Sequence, residues 1–208
     1  MDLQTQLSSF TNLGAGWIMW VLVALSVASL AVVTDRVIVL FRSRDDLPRL
    51  HAELISLLRT RSWEAAKSRL SRSPSYEARV VAAGLEVARD GAKAAEQRMA
   101  GASQLARLAM EKRLAFLGTV GANAPFVGLL GTVVGIVRSF AALDASGGRV
   151  SASLMSEVGE ALIATAIGIL VALPAVAFFN YFQRLIRARL TRADALSREL
   201  LAQLESAA

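Results

Sequence analysis

The chain has 208 residues, 54% of them hydrophobic, and a mean hydropathy of +0.47, which is high for a water-soluble domain and points to a membrane protein. It has no cysteine and a single histidine, His51, read as a solvated helix residue; disulfide frameworks, thiolate metal sites and His-rich metal clusters are excluded. The net charge of +6 is banded: residues 1–35 hold no Lys or Arg, 36–113 hold 16 of the 23, 139–183 hold only Arg149, and 184–208 hold five Arg. Such banding is what the positive-inside rule produces, so the charge reports topology and not nucleic-acid binding.

Residues 1–15 are read as an extracytoplasmic N-terminus, because no basic residue precedes the first apolar run and Arg36 follows it. For the same reason that run is not read as a cleavable signal peptide. The first transmembrane helix is expected over 16–40, with Trp17 and Trp20 in an outer aromatic belt and Asp35-Arg36 at the inner end. Residues 41–114 form a charged, Ala-rich helical section on the cytoplasmic side. Leu50, Leu54, Leu57 and Leu58 recur there at helical spacing, and Val80, Val81 and Leu85 do so less regularly. Ser73-Pro74 is expected to cap and open one of these helices, and Gly91 to separate two. From Ala92 the pattern stays helical without a strong breaker until Gly118, which suggests one long helix running into the second span. That span is expected over 115–143 with a kink at Pro125, followed by a periplasmic turn at 144–153. The third span is expected over 154–182, and a C-terminal cytoplasmic helix over 183–208. The predicted fold is thus an all-α membrane protein with three transmembrane helices and a helical cytoplasmic section.

The chemistry concentrates in spans two and three. Counting about 1.5 Å of rise per residue from the outer ends, Thr132 and Thr165 fall at matched depth, roughly 12 Å in, on antiparallel neighbours. Glu160 lies about 7.5 Å nearer the outside and is placed on nearly the same face as Thr165 and Ala164. An ionisable group at membrane depth is costly and marks a functional site. The faces around these residues are small. Ala124, Gly128 and Thr132 recur every four positions, as do Gly131 and Gly135, and Ala161, Thr165, Gly168 and Ala172 line the other helix. Small stripes allow close helix approach, or leave room for a water file or a partner helix. Arg138 and Glu157, at similar outer depth, are expected to form an ion pair at a pore mouth or subunit seam.

The runs Ala124-Pro125-Phe126-Val127-Gly128-Leu129-Leu130-Gly131-Thr132-Val133 and Glu160-Ala161-Leu162-Ile163-Ala164-Thr165-Ala166-Ile167-Gly168, with Ala172-Leu173-Pro174 and Asn180, resemble the MotA/TolQ/ExbB proton-channel family. The resemblance is sharp over 115–183, and the three-span layout is similar to the ExbB/TolQ branch. It implies a ring, a homopentamer in the bacterial inner membrane, around a pore that holds the single helices of two ExbD- or TolR-like subunits. It further implies that a partner's Asp carries the protons, that Thr132 and Thr165 line the pore beside it, and that Glu160 is functionally important. Gly128, Gly131, Gly135, Pro125, Gly168 and Pro174 would set packing and pore shape. The implied function is a motor that turns proton motive force into work on a TonB-like envelope protein, with TolQ-like envelope maintenance (through a TolA-like effector) or gliding motility as alternatives. Membrane lipids are the remaining partner, and translocated protons take the place of any cofactor. Three positions depart from the family pattern: Val134 stands where an aromatic is frequent, Ser156-Glu157 where a Pro-Gly pair is frequent, and Arg138 where a neutral residue is common.

Two other classes compete. A non-conducting membrane scaffold or transporter subunit would use the same small stripes without protons. An enzyme is not expected, since the chain carries no P-loop lysine motif, no HExxH and no nucleophile paired with its histidine. Sequence alone leaves Na⁺ open beside protons, because hydroxyl and carboxylate oxygens ligate both.

Overall fold

The computed structural model describes residues 16–206, and within that range leaves aside the side chain of Ser153. The expectation for residues 1–15 therefore lies outside the described residues. Seven α-helices follow in order: α1 Gly16–Arg42, α2 Leu47–Arg59, α3 Trp63–Arg72, α4 Tyr76–Glu86, α5 Ala92–Glu111, α6 Leu114–Ala145 and α7 Ala152–Glu205, with a short 3-10 turn at Ala88–Asp90 before α5. Three of them, α1, α6 and α7, are long and apolar enough to cross a membrane. The chain divides into two compact units, one of residues 16–33 with 113–180 and one of 34–112 with 181–206.

The first, apolar unit gathers the first part of α1, all of α6 and the first half of α7. Its core is Ile18 and Leu22 of α1, Val120 and Ala124 of α6, and Val171, Ala172 and Ala175 of α7, with Trp17, Val127 and Val134 packed against it. Val134, the departure from an aromatic, therefore still serves as a packing residue. Large side chains such as Phe126, Leu129, Leu162 and Leu170 are exposed, an inside-out distribution suited to lipid or to further chains. Pro125 and Pro174 sit inside α6 and α7 without ending them. Each lacks an N–H, so the carbonyls of Gly121 and Leu170, four residues back, lose their helical donors. The turn between the two helices is made by Gly147 and Gly148, at φ of +65° and +80°, a region that favours glycine.

The second, charged unit has a conventional core. Leu50, Leu54 and Leu58 of α2, Ala66 and Leu70 of α3, and Val80, Val81 and Leu85 of α4 are buried, while Leu57 is only half-buried. Asp46 caps α2, its carboxylate accepting from Arg49 N at 3.3 Å, and Pro48 fits the first turn, where no helical donor is needed. The cap of α4 is Ser75, whose Oγ accepts from Ala78 N at 3.1 Å. This corrects the expectation for Ser73, which ends α3 and hydrogen-bonds Ser75 at 2.9 Å. Either serine satisfies the cap chemistry, and Pro74 lies between them, outside the helix, rather than being the first helical residue. Gly91, at φ +101°, separates α4 and its 3-10 turn from α5 as expected.

The long helix expected from Ala92 onward is broken. Lys112 is extended (ψ 130°) and Arg113 is left-handed (φ +65°), so α5 and α6 are separate helices. A left-handed non-glycine residue costs about 1–2 kcal/mol, which the surrounding fold must offset. No Gly or Pro marks the break, so local composition carries no sign of it.

Candidate functional site

The site lies on the facing sides of α6 and α7. Contacts fall in reverse order along the two helices, Gly118 with Phe179, Gly128 with Gly168, Gly131 with Ala164 and Gly135 with Ala161, as antiparallel neighbours require. The backbones touch at the middle of this seam. A Cβ on Gly168 would lie 2.7 Å from Ala124 O and 3.0 Å from Gly128 Cα, and a Cβ on Gly128 would lie 2.8 Å from Ala164 O. One on Gly131 would lie 2.7 Å from Ala164 Cβ and 3.4 Å from Ile18 of α1. The small stripe is therefore filled by helix-on-helix contact.

Thr132 and Thr165 meet at the edge of this contact. Their hydroxyls hydrogen-bond each other, and Thr165 Oγ1 also donates to Gly128 O across the seam at 3.0 Å. Thr132 has longer contacts to Gly128 O, 3.4 Å, and Ala161 O, 3.5 Å. Each hydroxyl has one proton; with Thr165 donating to the Gly128 carbonyl, the proton left for the hydroxyl pair is the one on Thr132, which donates to Thr165. Both donors are then spent inside the hairpin, and Thr132 keeps lone pairs able to accept. Both side chains are only half-buried.

Glu160 is not brought to the threonines. It is exposed and makes no hydrogen bond or ion pair among the described residues, whereas Ala161 and Ala164 beside it are fully buried. The reason is rotation: four residues from Glu160 to Ala164 turn the helix by about 40°, but five to Thr165 turn it by about 140°. Depth counting placed Glu160 at the right height and on the wrong face for Thr165.

The carboxylate nearest the seam is Glu157. Its main-chain oxygen would lie 3.5 Å from a Cβ on Gly135, and its Oε1 is 3.8 Å from Arg138 Nη2. Its other oxygen, Oε2, is shielded and has no hydrogen-bond partner. Trp17 Nε1, a donor at the start of α1, is likewise shielded and without a partner. These two atoms had no signal in the sequence, because atom-level burial depends on how three helices meet. Ser139, also unforeseen, is buried and donates to Gly135 O at 2.9 Å. Asn123 and Thr119 are exposed polar residues on α6 that satisfy themselves locally, Asn123 Nδ2 donating to Thr119 O at 2.8 Å and Thr119 Oγ1 to Ala115 O at 3.0 Å. Among the described residues no group of three or more acidic, His or Cys side chains is placed to hold a metal.

The two hydroxyls are held level across a glycine seam, as counting helical rise led one to expect. Residues 72–195, more than half of the chain, match the MotA/TolQ/ExbB proton channel family. The chain belongs to that family. It is 43% identical over 91 residues to the biopolymer transport protein ExbB of Xanthomonas campestris pv. campestris, covering 44% of this chain and 36% of that protein. It is 41% identical over 87 residues to the putative biopolymer transport protein ExbB-like 2 of Helicobacter pylori, covering 42% of this chain and 58% of that one. It is also 48% identical over 73 residues to the Tol-Pal system protein TolQ of Pseudomonas aeruginosa, covering 35% and 32%. In each case the match spans less than two thirds of the relative's length. With its three long apolar helices, this member of the family is a multi-pass membrane protein.

Proposed function

We propose that this chain is an ExbB-like subunit of a proton-driven motor in the bacterial inner membrane, with its N-terminus periplasmic and its C-terminus cytoplasmic. Five copies form a ring around two single-span ExbD- or TolR-like helices, and the ring converts proton motive force into work on a TonB-like envelope protein. The observation that carries this reading is the Thr132–Thr165 pair, two bonded hydroxyls with no acid among the described residues beside them. A partner's carboxyl group completes the path. When protonated, that group donates to the free lone pairs of Thr132. When ionised, it requires the threonine protons to turn outward, away from Gly128 O, and the short hydroxyl chain makes that reversal a local event. Gly128, Gly131, Gly135 and Gly168 hold the pair in register, and Pro125 and Pro174 free backbone carbonyls on the same helices. Glu160 acts away from the threonines, at the outer side of α7, and the Arg138–Glu157 pair lies at the same outer end. No bound cofactor takes part in this reading, protons being the translocated species.

The test is Thr165→Val, with Thr165→Ser as control, in cells whose own ExbB function is deleted. Uptake through a TonB-dependent receptor should fall at least tenfold with valine and recover with serine, while membrane assembly stays normal. Full activity of the valine variant would leave a non-conducting scaffold as the better reading. The TolQ match favours a second load, envelope maintenance through a TolA-like effector. Complementation of ExbB-deficient and TolQ-deficient cells side by side separates the two, and repeating the uptake assay with Na⁺ replaced by K⁺ separates protons from sodium.

A further inference from the structure

The exposed large hydrophobic side chains of the charged unit are few and localised. Among the described residues none occurs between Phe41 and Leu105, and none after Tyr181. A section with no other such residue over this length is well covered for water. Yet α5 leaves Leu105 70% and Leu108 66% exposed, as open as the lipid-facing residues of the apolar unit. They lie three apart on one face of the helix. Gly101, one turn earlier on that face, has nothing within 4 Å of where a Cβ would stand.

The position of this face is fixed by a hydrogen bond. Arg36 of α1 donates from Nη1 to Ala109 O of α5 at 3.3 Å. Leu108 therefore sits one residue from the level of Arg36, and Leu105 about 6 Å from it along α5. On α1 the exposed residues just past Arg36 are Ile38 and Phe41. Arg44 lies over the Phe41 ring, 3.9 Å from its centroid, and Arg42 and Lys112 are exposed nearby in sequence. Apolar side chains followed by arginines and a cation stacked on an aromatic are the arrangement of a bilayer interface, where rings and guanidinium stems lie at headgroup level.

We propose that the end of α5 is immersed in the bilayer interface, with Leu105 and Leu108 against phospholipid acyl chains and with Arg42, Arg44 and Lys112 among anionic headgroups. The lipid boundary on this side then crosses α5 near Leu105 and not at the start of α6. The lipid is favoured as occupant because the leucines lie at about the level of the exposed Ile38 and Phe41 of α1 and because the flanking charges complement acidic phospholipid.

The chain has no cysteine, so single labels are unambiguous. Leu105→Cys and Leu108→Cys would be spin-labelled in the full-length protein, in nanodiscs of phosphatidylethanolamine and phosphatidylglycerol. Collision with oxygen would be compared with collision with a water-soluble nickel chelate. Val27→Cys on α1 serves as the lipid reference and Ser68→Cys on α3 as the water reference. Both test labels should match Val27, with oxygen collisions exceeding nickel collisions several-fold. A Ser68-like ratio, or protection from both reagents by a neighbouring copy of the chain, would overturn the proposal. Because both leucines are exposed, neither substitution removes a packed side chain, and the outcome does not depend on which motor the chain serves.

Discussion

The two units of this chain hold their helices together by opposite means. In the apolar unit the middle of the contact between α6 and α7 is made of glycine, alanine and two threonines, with many of the large side chains turned outward. In the charged unit leucines turn inward and charged groups bond to distant backbone. Lipid tails are as apolar as leucine, so burying leucine between membrane helices gains little, and close backbone approach takes its place. A section facing water gains about 25 cal/mol per Å² of apolar surface buried and can use bulk instead. The difference explains why the threonines meet at all. Only a seam thin enough for Gly128 and Gly168 to touch brings hydroxyls from two helices within bonding distance.

Thickening that seam is the most damaging change to make. Gly168→Val should prevent the close approach of α6 and α7, since even its Cβ would lie 2.7 Å from a backbone oxygen that cannot rotate away. Overpacking of this kind costs about 1–3 kcal/mol or more. Both assembly and proton-driven activity should be lost, read as protease sensitivity in liposomes and as absence of uptake. Gly159→Val on the same helix is the contrast: nothing lies within 4 Å of a Cβ there, and assembly should be retained.

In the charged unit the equivalent weak point is a charge. Arg189 is buried and donates to Leu40 O at 2.7 Å, Ser43 Oγ at 2.7 Å and Ser43 O at 3.3 Å, so it satisfies carbonyls at the end of α1. Glu77, buried with one oxygen unpartnered, is close enough for its charge to act on Arg189. Arg189→Ala would leave those acceptors and that carboxylate uncompensated, at a cost of about 3 kcal/mol. The expected result is a lowered thermal midpoint of the purified protein. Adding Glu77→Gln should recover part of the loss, and no recovery would count against coupling between the two.

What was legible in the sequence follows the same division. The three apolar spans were legible because lipid demands about 20 apolar residues per helix. The level of Thr132 and Thr165 was legible because helical rise is constant. The face of Glu160 was misplaced because depth was counted without rotation, although both are fixed by the same helix. Arg189 read only as part of the basic tail, since its partners lie 146 and 149 residues away. The break at Lys112–Arg113 had no signal, because neither residue is a helix breaker. The cap at Ser75 was ambiguous with Ser73 two positions earlier, and only the path of the chain decides between them.

A smaller effect tests the end of the seam near the turn between α6 and α7. Arg138 and Glu157 are 3.8 Å apart and partly exposed, so their attraction is worth about 1 kcal/mol or less. Glu157→Arg alone should lower activity by apposing two cations beside a small-residue contact, and Arg138→Glu in the same chain should restore it. Failure of the double reversal to rescue, with both variants assembled, would show that the two side chains act separately.

The smallest effect belongs to the partly exposed ion network of the charged unit, and its sign is fixed by the titrations. Arg69 contacts Glu53 at 2.5 Å and Asp45 at 3.4 Å. A hydrogen bond from Ser73, with help from Arg69, holds the Asp45 carboxyl below its ordinary value, and hydrogen bonds from Arg69 and then Arg49 do the same for Glu53. Carboxyls whose folded values are depressed stabilise the fold above their ordinary range and lose that contribution as pH falls through the lowered values. Stability of the purified protein should therefore be level near neutrality and decline below about pH 4, where carboxylates ordinarily titrate. In Asp45→Asn with Glu53→Gln the decline should be shallower and the neutral-pH midpoint slightly lower. Because these groups are near the surface, the difference should shrink further in high salt, whereas the loss caused by Arg189→Ala, inside the same unit but buried, should not.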